Sequence, residues 1–417
     1  MNKLNITRTT GDIARPKRNE DHVSGLIINL PIGCSPQCTA DIQRISTPDS
    51  LKAWTGLADW NERTSEGTLK KYPAQHLVHY HVSEFLRTSE GGTLYAMWVV
   101  GKTPEQLNET IVAMQRHAGG TIRQVAVVDC YNSRSELSGV PDNIQAHPQC
   151  EEEMGAPLSV IYEPAAQAAD SDEQSINKSW VELINTEVLI QEYYGISIVL
   201  GADCSDKANA LRRDLGKSDS ATTAVGLLGS AGAVLGLVSR ASVHESISWV
   251  KKFPLGYTVP GFITGEKLTN ISQETIADLD ERRYIFPVTY AGISGCYLNA
   301  SHTLTPDTHD FAYIENVRTM DKAVRGIRAA LIPELGGNIY VDTATGQLAA
   351  HSVAHLETIA SHPLEEMEKA GELSGYRVEI DPEQNVLATG TLDIKVRKVD
   401  VGVMRTINIA IGNVTAL

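Results

Sequence analysis

The C-terminal end of the chain carries the sequence feature that most limits its possible folds. Apolar residues occupy odd-numbered positions in this segment, namely Val401, Val403, Ile407, Ile409 and Ile411. Apolar residues at every second position are typical of a β-strand with one face against other protein. A strand at the edge of a sheet has unpaired backbone groups that can bind another chain. The sequence therefore predicts a C-terminal arm, residues 401–417, that is available for pairing between molecules.

A second alternating run lies directly before this arm and has the opposite phase. Leu392, Ile394 and Val396 alternate at even positions. A turn or β-bulge around Lys398–Asp400 would explain the change of phase.

The N-terminal residues 1–24 show no core periodicity. Ile6 and Ile13 are isolated among polar neighbours, so this segment is predicted to be an extended N-terminal arm. Because it is charged and has no apolar run, we do not expect a secretory signal, and we expect synthesis in the cytoplasm. Ile6 and Ile13 are the candidate contact residues of this arm.

Between the arms, short apolar strands alternate with helical patterns. Leu26–Leu30 and Val125–Val128 are predicted to be mainly apolar strands, and Pro104–Arg116 has helical spacing. This alternation predicts a mixed α/β (α+β) fold whose sheet is covered on both faces. We expect an N-terminal α/β part at 25–130 and a middle, outer region at 131–312.

Two further regions follow from local composition. Residues 131–175 are rich in Ser, Pro, Asn, Asp and Glu, which predicts a variable loop. The C-terminal domain, 313–417, should contain helices at Asn316–Leu335 and Gln347–Ala370, the second interrupted near Pro363.

The charge balance limits the possible partners. The formal net charge is −15, which argues against nucleic acid and against an anionic membrane surface. Ala221–Val238 is uncharged, but its Gly, Ala, Ser and Thr residues suit a helix packed closely on protein better than a membrane span. The six scattered cysteines predict free thiols.

Three features could carry catalytic or metal chemistry, and a structural interpretation is favoured for each. His76, His79 and His81 are close in sequence, but no acidic residue stands at a ligand spacing. Asp203 follows an apolar strand, as catalytic carboxylates of α/β enzymes do. The glycines of 226–236 lack the spacing of a nucleotide-binding loop. We therefore predict no catalytic residue, cofactor or metal, with an α/β hydrolase-like enzyme as an alternative.

Two C-terminal segments resemble the tail sheath proteins of contractile phages and injection systems. They are Tyr313–Lys322 (YIENVRTMDK) and Asp393–Gly412 (DIKVRKVDVGVMRTINIAIG). Leu26–Gly33, Tyr80–Val100 and Ser230–Lys251 resemble the same family more weakly. The resemblance covers about two thirds of the chain and excludes 131–175.

The resemblance implies a specific architecture and function. An inner α/β domain would be built from the N- and C-terminal parts, with an inserted outer region and extended β-arms. The arms would join subunits into stacked six-fold rings around an inner tube, and contraction would drive the tube through a target envelope. The implied partners are other copies of the chain, the inner tube protein, and baseplate and terminal cap proteins, assembled into a phage tail or contractile injection particle. A different tail or baseplate component, or a peripheral membrane protein, remain alternatives.

A sheath must release its tube, so polar contacts between the two would suit it better than apolar ones. Charged residues of the C-terminal helices are therefore candidates for the tube-facing set, with a solvated helix face as the alternative. They are Arg325, Arg328, Glu365, Glu366 and Glu368.

Overall fold

A six-stranded β-sheet forms the centre of the computed structural model, which describes residues 20–132, 139–165, 195–215 and 228–413. Its strands are β1 (Val23–Leu30), β2 (Gln43–Ile45), β3 (Thr93–Val100), β4 (Gln124–Asp129), β5 (Ser159–Glu163) and β6 (Ile196–Ile198). The spatial order is β2-β3-β1-β4-β5-β6, and all neighbours are parallel except β2 and β3. In the register, Ile27 stands opposite Met97 on one side and Val127 on the other.

Helices cover this sheet. They are α1 (Pro48–Thr55), α2 (Pro73–Ser89), α3 (Pro104–His117), α4 (Val140–Asn143), α5 (Ala146–Met154), α6 (Asp206–Leu215) and α7 (Ala231–Arg240). Local sequence sets several of their starts. Thr47 and Thr103 form capping boxes before α1 and α3, and each helix begins with proline. Because helices lie against the sheet, its central strands are almost fully buried, as their apolar sequences predict.

The glycine-rich helix α7 packs closely against α2. The Thr88 hydroxyl donates a hydrogen bond to the Ala233 carbonyl, 2.8 Å away in the other helix. A Cβ atom on Gly236 would stand 2.7 Å from the carbonyl oxygen of Phe85. Only glycine permits this approach, which confirms the predicted close packing for the part of 221–238 that the structure describes. Among all the residues that the structure describes, no helix has the length and apolar character needed to cross a membrane.

Smaller elements complete the residues before 313, which we call the body. β7 (Gly201–Asp203) and β8 (Pro260–Phe262) pair antiparallel, as do β9 (Pro287–Val288) and β10 (Tyr297–Leu298). Helix α8 spans Gln273–Glu281. Short 3-10 helices occupy Glu20–His22 and Leu268–Asn270.

The C-terminal unit, from Tyr313 onward, has two helices and a hairpin. Its elements are α9 (Ile314–Leu331), a 3-10 helix (Ile332–Glu334), α10 (Ala350–Lys369), β11 (Leu373–Ile380), α11 (Val386–Thr389) and β12 (Ile394–Asp400). β11 and β12 pair antiparallel, with Val378 opposite Val396. A small apolar core of its own holds the unit together, made of Ala323, Leu364, Met367 and Leu373.

The prediction of a mixed α/β fold is confirmed, but three boundaries within it are wrong. The described part of 131–175 is not mostly loop, since it contains α4, α5 and the buried strand β5. Val23 and Ser24, which were assigned to the N-terminal arm, belong to β1. Helix α10 runs through Pro363, which packs on Gly326 of α9. Polar composition and a single proline were outweighed by tertiary packing.

The expected change of phase occurs at the end of β12. Its inward residues are at even positions up to Asp400, while Val401 and Val403 are the more buried residues immediately afterwards. No turn interrupts β12 at Lys398–Asp400. The register instead shifts in β11, between Leu373 and Gly375, opposite the end of β12. The bulge is therefore present on the partner strand.

Candidate assembly interface

The C-terminal arm leaves the hairpin without a strand partner. Residues 401–413 follow β12 and form no β-ladder with any described residue. Ile407, Ile409 and Ile411 are 66%, 76% and 90% exposed, whereas Val401 and Val403 are half-buried. Exposed large apolar side chains at every second position, on backbone without a ladder partner, are typical of a strand that adds to another sheet.

The root of this arm is fixed to the C-terminal unit by Arg405. The Arg405 guanidinium binds the Glu315 carboxylate at 2.6 Å and lies 3.3 Å from the centre of the Tyr313 ring. Glu315 is 3% exposed and also accepts a hydrogen bond from Ser301. A buried carboxylate with a cation and a hydroxyl partner holds the arm at a defined place.

Asp21, at the end of the predicted N-terminal arm, contacts α9, the helix that also carries Glu315. Asp21 binds Lys322 at 2.8 Å and Arg325 at 3.4 Å, both from α9. Burial alone would raise the pKa of the Asp21 carboxyl, but Lys322 and the nearby arginines outweigh it and lower that pKa. Ile6 and Ile13, the candidate contact residues of this arm, lie outside the described residues.

The tube-facing candidates have different environments. Arg325 is mostly buried, and burial lowers its pKa to about 10. Its guanidinium is directed to Asp21 within the subunit. Arg328 is exposed, and its side chain packs against Gly155 at the end of α5.

The three glutamates of this set lie on α10. Glu365 forms an ion pair with Lys369, one turn further along the same helix. Glu366 and Glu368 are exposed. Contact between any of these five residues and a tube stays a prediction.

The histidine cluster belongs to the interior of helix α2. His76 contacts the Trp60 carbonyl at 2.7 Å, and His79 contacts the Thr55 hydroxyl at 2.8 Å. Burial lowers the pKa of His79 to about 4. Within the ranges that the structure describes, no group of three or more His, Cys, Asp or Glu side chains could hold a metal ion.

Asp203 forms a local turn immediately before α6. Its carboxylate accepts hydrogen bonds from the Ser205 backbone N–H at 3.0 Å and the Ser205 hydroxyl at 2.8 Å, and Ser205 in turn accepts a hydrogen bond from the Ala208 N–H of the helix. The Asp203 carboxylate is thus used in local hydrogen bonds, as that of an aspartate in a turn often is.

A buried polar cluster at the carboxyl end of the sheet was not predicted. Asp129, at the end of β4, accepts hydrogen bonds from Asn29 at 2.9 Å, Asn132 at 2.6 Å and Tyr162 at 2.5 Å. This is the point between β1 and β4 where α/β enzymes bind their ligands. In this protein, the side chains that bind Asp129 occupy that point. The sequence signal was the pair of polar residues, Asn29 and Asp129, that interrupts two apolar strands at their ends.

Two solved structures with the same fold come from contractile particles, and a third match is weaker. A chain of the cryo-EM structure of the anti-feeding prophage (AFP) baseplate matches over 94% of this chain and 93% of that chain, with 15% identity and a TM-score of 0.55. A chain of the PVC sheath complex in the contracted state, from an extracellular contractile injection system, matches over 94% and 92%, with 12% identity and a TM-score of 0.54. The sheath tail protein Lin1278 from Listeria innocua matches over 90% and 94%, with 10% identity and a TM-score of 0.48.

The fold is therefore the one found in contractile sheath and baseplate assemblies, and the resemblance to sheath proteins is confirmed at that level. The chain belongs to the DUF2586 family. Residues 17–302 match the DUF2586 N-terminal domain, and residues 310–417 match the DUF2586 C-terminal domain. The division between these two matches falls where the body meets the C-terminal unit. No curated protein matches the chain.

Proposed function

We propose that the protein is the sheath subunit of a contractile particle. It polymerises as stacked, six-fold rings around an inner tube, is made in a bacterial cytoplasm, and contracts to drive the tube through a target envelope. The exposed, unpaired C-terminal arm on a sheath-type fold is the observation that carries this proposal.

Strand addition supplies the proposed joint between subunits. At ~3.3 Å per residue, an extended arm from 401 to 413 spans roughly 40 Å, enough to leave one subunit and reach the next. Its backbone N–H and C=O groups would pair with a neighbour's hairpin or N-terminal arm, while the isoleucines fill positions on one face. A contact between unlike surfaces that repeats without closing builds a helical filament.

The tube would be bound through polar contacts on the C-terminal helices. Arg328, Glu365, Glu366 and Glu368 are the proposed set, while Arg325 would serve inside the subunit through Asp21. Reversing the charges of the proposed set should weaken co-assembly with the tube and leave sheath-only tubes intact. Unchanged co-assembly would remove this part of the proposal.

Electron microscopy of the purified full-length chain tests the main proposal. We expect tubes or stacks of rings, because the arms carry the joining surface within the chain itself. Discrete particles at every concentration, whether or not they have enzymatic activity, would contradict it. If the purified chain does form tubes, the baseplate and cap proteins are unnecessary for polymerisation and are needed only to set its start and end.

A second candidate is a baseplate-associated ring protein with the sheath fold. The match to a chain of the AFP baseplate structure favours it. This candidate predicts single rings that do not stack, because a terminal ring offers only one face for continuation. The same micrographs distinguish the two, since long tubes support the sheath and isolated rings support the baseplate component.

A further inference from the structure

Helix α9 contacts the roots of both arms through charged side chains. Glu315 binds Arg405 of the C-terminal arm, and Lys322 binds Asp21 at the end of the N-terminal arm. Seven residues separate Glu315 from Lys322, which is about two turns or roughly 10 Å along a helix. Arg405 and Asp21 therefore contact neighbouring points on one face of one helix.

Lys322 also connects this helix to the hairpin. Its ammonium group lies 2.6 Å from Glu372, directly before β11. Leu373, the first residue of β11, pairs with Asp400, the last residue of β12. Lys322 thus joins the start of the hairpin to Asp21, while the strand pairing of Leu373 places the end of β12, five residues before Arg405, beside the same contacts.

Arg405 is held by two independent contacts. Besides its bond to Glu315, it stacks on Tyr313, and the guanidinium of Arg283 lies 4.9 Å from the centre of the same ring. A guanidinium that binds a buried carboxylate and also stacks on an aromatic ring has little freedom to move. The direction of the chain after Arg405 is consequently set by α9 and its neighbours.

Helix α9 is in turn fixed to the body. Arg318 donates hydrogen bonds to the Ala241 carbonyl at 3.2 Å, and Asp321 binds His147 at 3.0 Å. Both contacts are buried. A displacement of either arm root would therefore act on the helix that also holds the other.

We propose that α9 is a common anchor that fixes the exit of both arms, with Arg405–Glu315 and Lys322–Asp21 as positioning contacts for strand exchange. The role in exchange rests on the proposed function, whereas the anchoring concerns the single subunit. Loss of Arg405–Glu315 should free the C-terminal arm alone, and loss of Lys322 should loosen the segment around Asp21, which keeps only its longer contact with Arg325. Either loss should reduce ring and tube formation although both arms keep their sequences.

Spin-label distances in the unassembled full-length chain test the anchor. Cys34→Ser and Cys38→Ser remove the partly exposed thiols, and label pairs are placed at Asn408→Cys with Glu274→Cys and at Glu20→Cys with Glu274→Cys. Arg405→Met and Glu315→Gln should broaden the 408–274 distance distribution, with a roughly tenfold rise in the released population. Lys322→Met should broaden the 20–274 distribution. Arg213→Met, an exposed residue of α6, is the matched control and should change neither.

The possible results separate the anchor from the proposed function. Distributions that stay as narrow in the variants as in the parent would overturn the anchor. Broadened distributions with normal tube formation would overturn its role in positioning. If the parent chain forms no tubes at all, the proposed function fails while the spin-label result still decides the anchor. Circular dichroism on each variant confirms that the fold is intact, and Arg405→Met, at the root of an exposed arm, leaves the apolar core untouched.

Discussion

A buried ion pair links the C-terminal unit to the central sheet domain. His147 of α5 and Asp321 of α9 are both almost fully buried, with 3.0 Å between Nε2 and Oδ1. Burial alone would lower the pKa of His147, but Asp321 outweighs it and the pKa is raised above the ordinary value of 6.5. Glu151 adds to the increase and Arg325 opposes it.

This pair should make stability depend on pH in a known direction. The folded state holds the His147 proton more tightly than the unfolded state, so the stabilisation is complete below the unfolded pKa of 6.5 and is lost as pH rises through the higher folded pKa. His147→Gln should remove that loss and cost about 1–3 kcal/mol at acidic pH. Urea denaturation at several pH values checks it, and parallel pH profiles for both proteins would contradict it.

The contact between α2 and α7 gives a second prediction for a single residue. Gly236→Val places carbon where the Phe85 carbonyl oxygen and the Thr88 hydroxyl already lie. We expect a loss of about 1–3 kcal/mol or more from overpacking. Gly375→Ala is the matched control, because a Cβ there meets nothing within 4 Å. Thermal denaturation compares the two, and equal midpoints would show that the helices can separate without cost.

Single residues were the least predictable from sequence. The glycines of α7 could be assigned to close packing, because small residues at that density have few other uses. Arg405 could not be recognised, since a lone arginine in an alternating strand is normally solvated. Its significance depends on Glu315 and Tyr313, which are far away in sequence and close only after folding.

At the level of elements, apolar periodicity predicted the strands and helices in which that pattern is strong. The strands β1 and β4 and the helices α3 and α9 follow the expected positions closely, because each has a strong apolar pattern. Strand β5 was missed because its five residues follow a polar stretch whose composition favours a loop. The expected strand at 401–411 is extended but unpaired, since the second strand of a ladder must come from elsewhere.

The isoleucines of the arm should matter for assembly and not for folding. Ile409→Ser changes a residue that is 76% exposed, so the free energy of unfolding should shift by no more than about 0.5 kcal/mol. Tube formation should fall sharply, because the side chain loses its position in the neighbour's sheet. Asn408→Ser, on the opposite face of the same strand, is the control. Sedimentation of assembled material measures both, and equal sedimentation would show that the apolar face is not used.

On the scale of the whole molecule, the α/β class and the sheath-type fold could be predicted, but the placement of its parts could not. The sheet of the body takes strands from both sides of the boundary expected at residue 130, since β5 and β6 extend the sheet begun by β1. Composition cannot show that a later strand returns to an earlier sheet. The C-terminal unit was recognisable because its small core is built from contiguous sequence.

Deletion of Thr406–Leu417 tests most directly whether the C-terminal arm joins subunits, because it removes the exposed arm and leaves Arg405 in place. An arm that serves strand exchange contributes almost nothing to the fold of its own subunit. Circular dichroism should therefore show a folded chain with an unchanged thermal midpoint, and negative-stain microscopy should show no rings or tubes. Truncated protein that still builds normal tubes would contradict strand exchange by the C-terminal arm, and truncated protein that unfolds would show that the arm belongs to its own subunit's core.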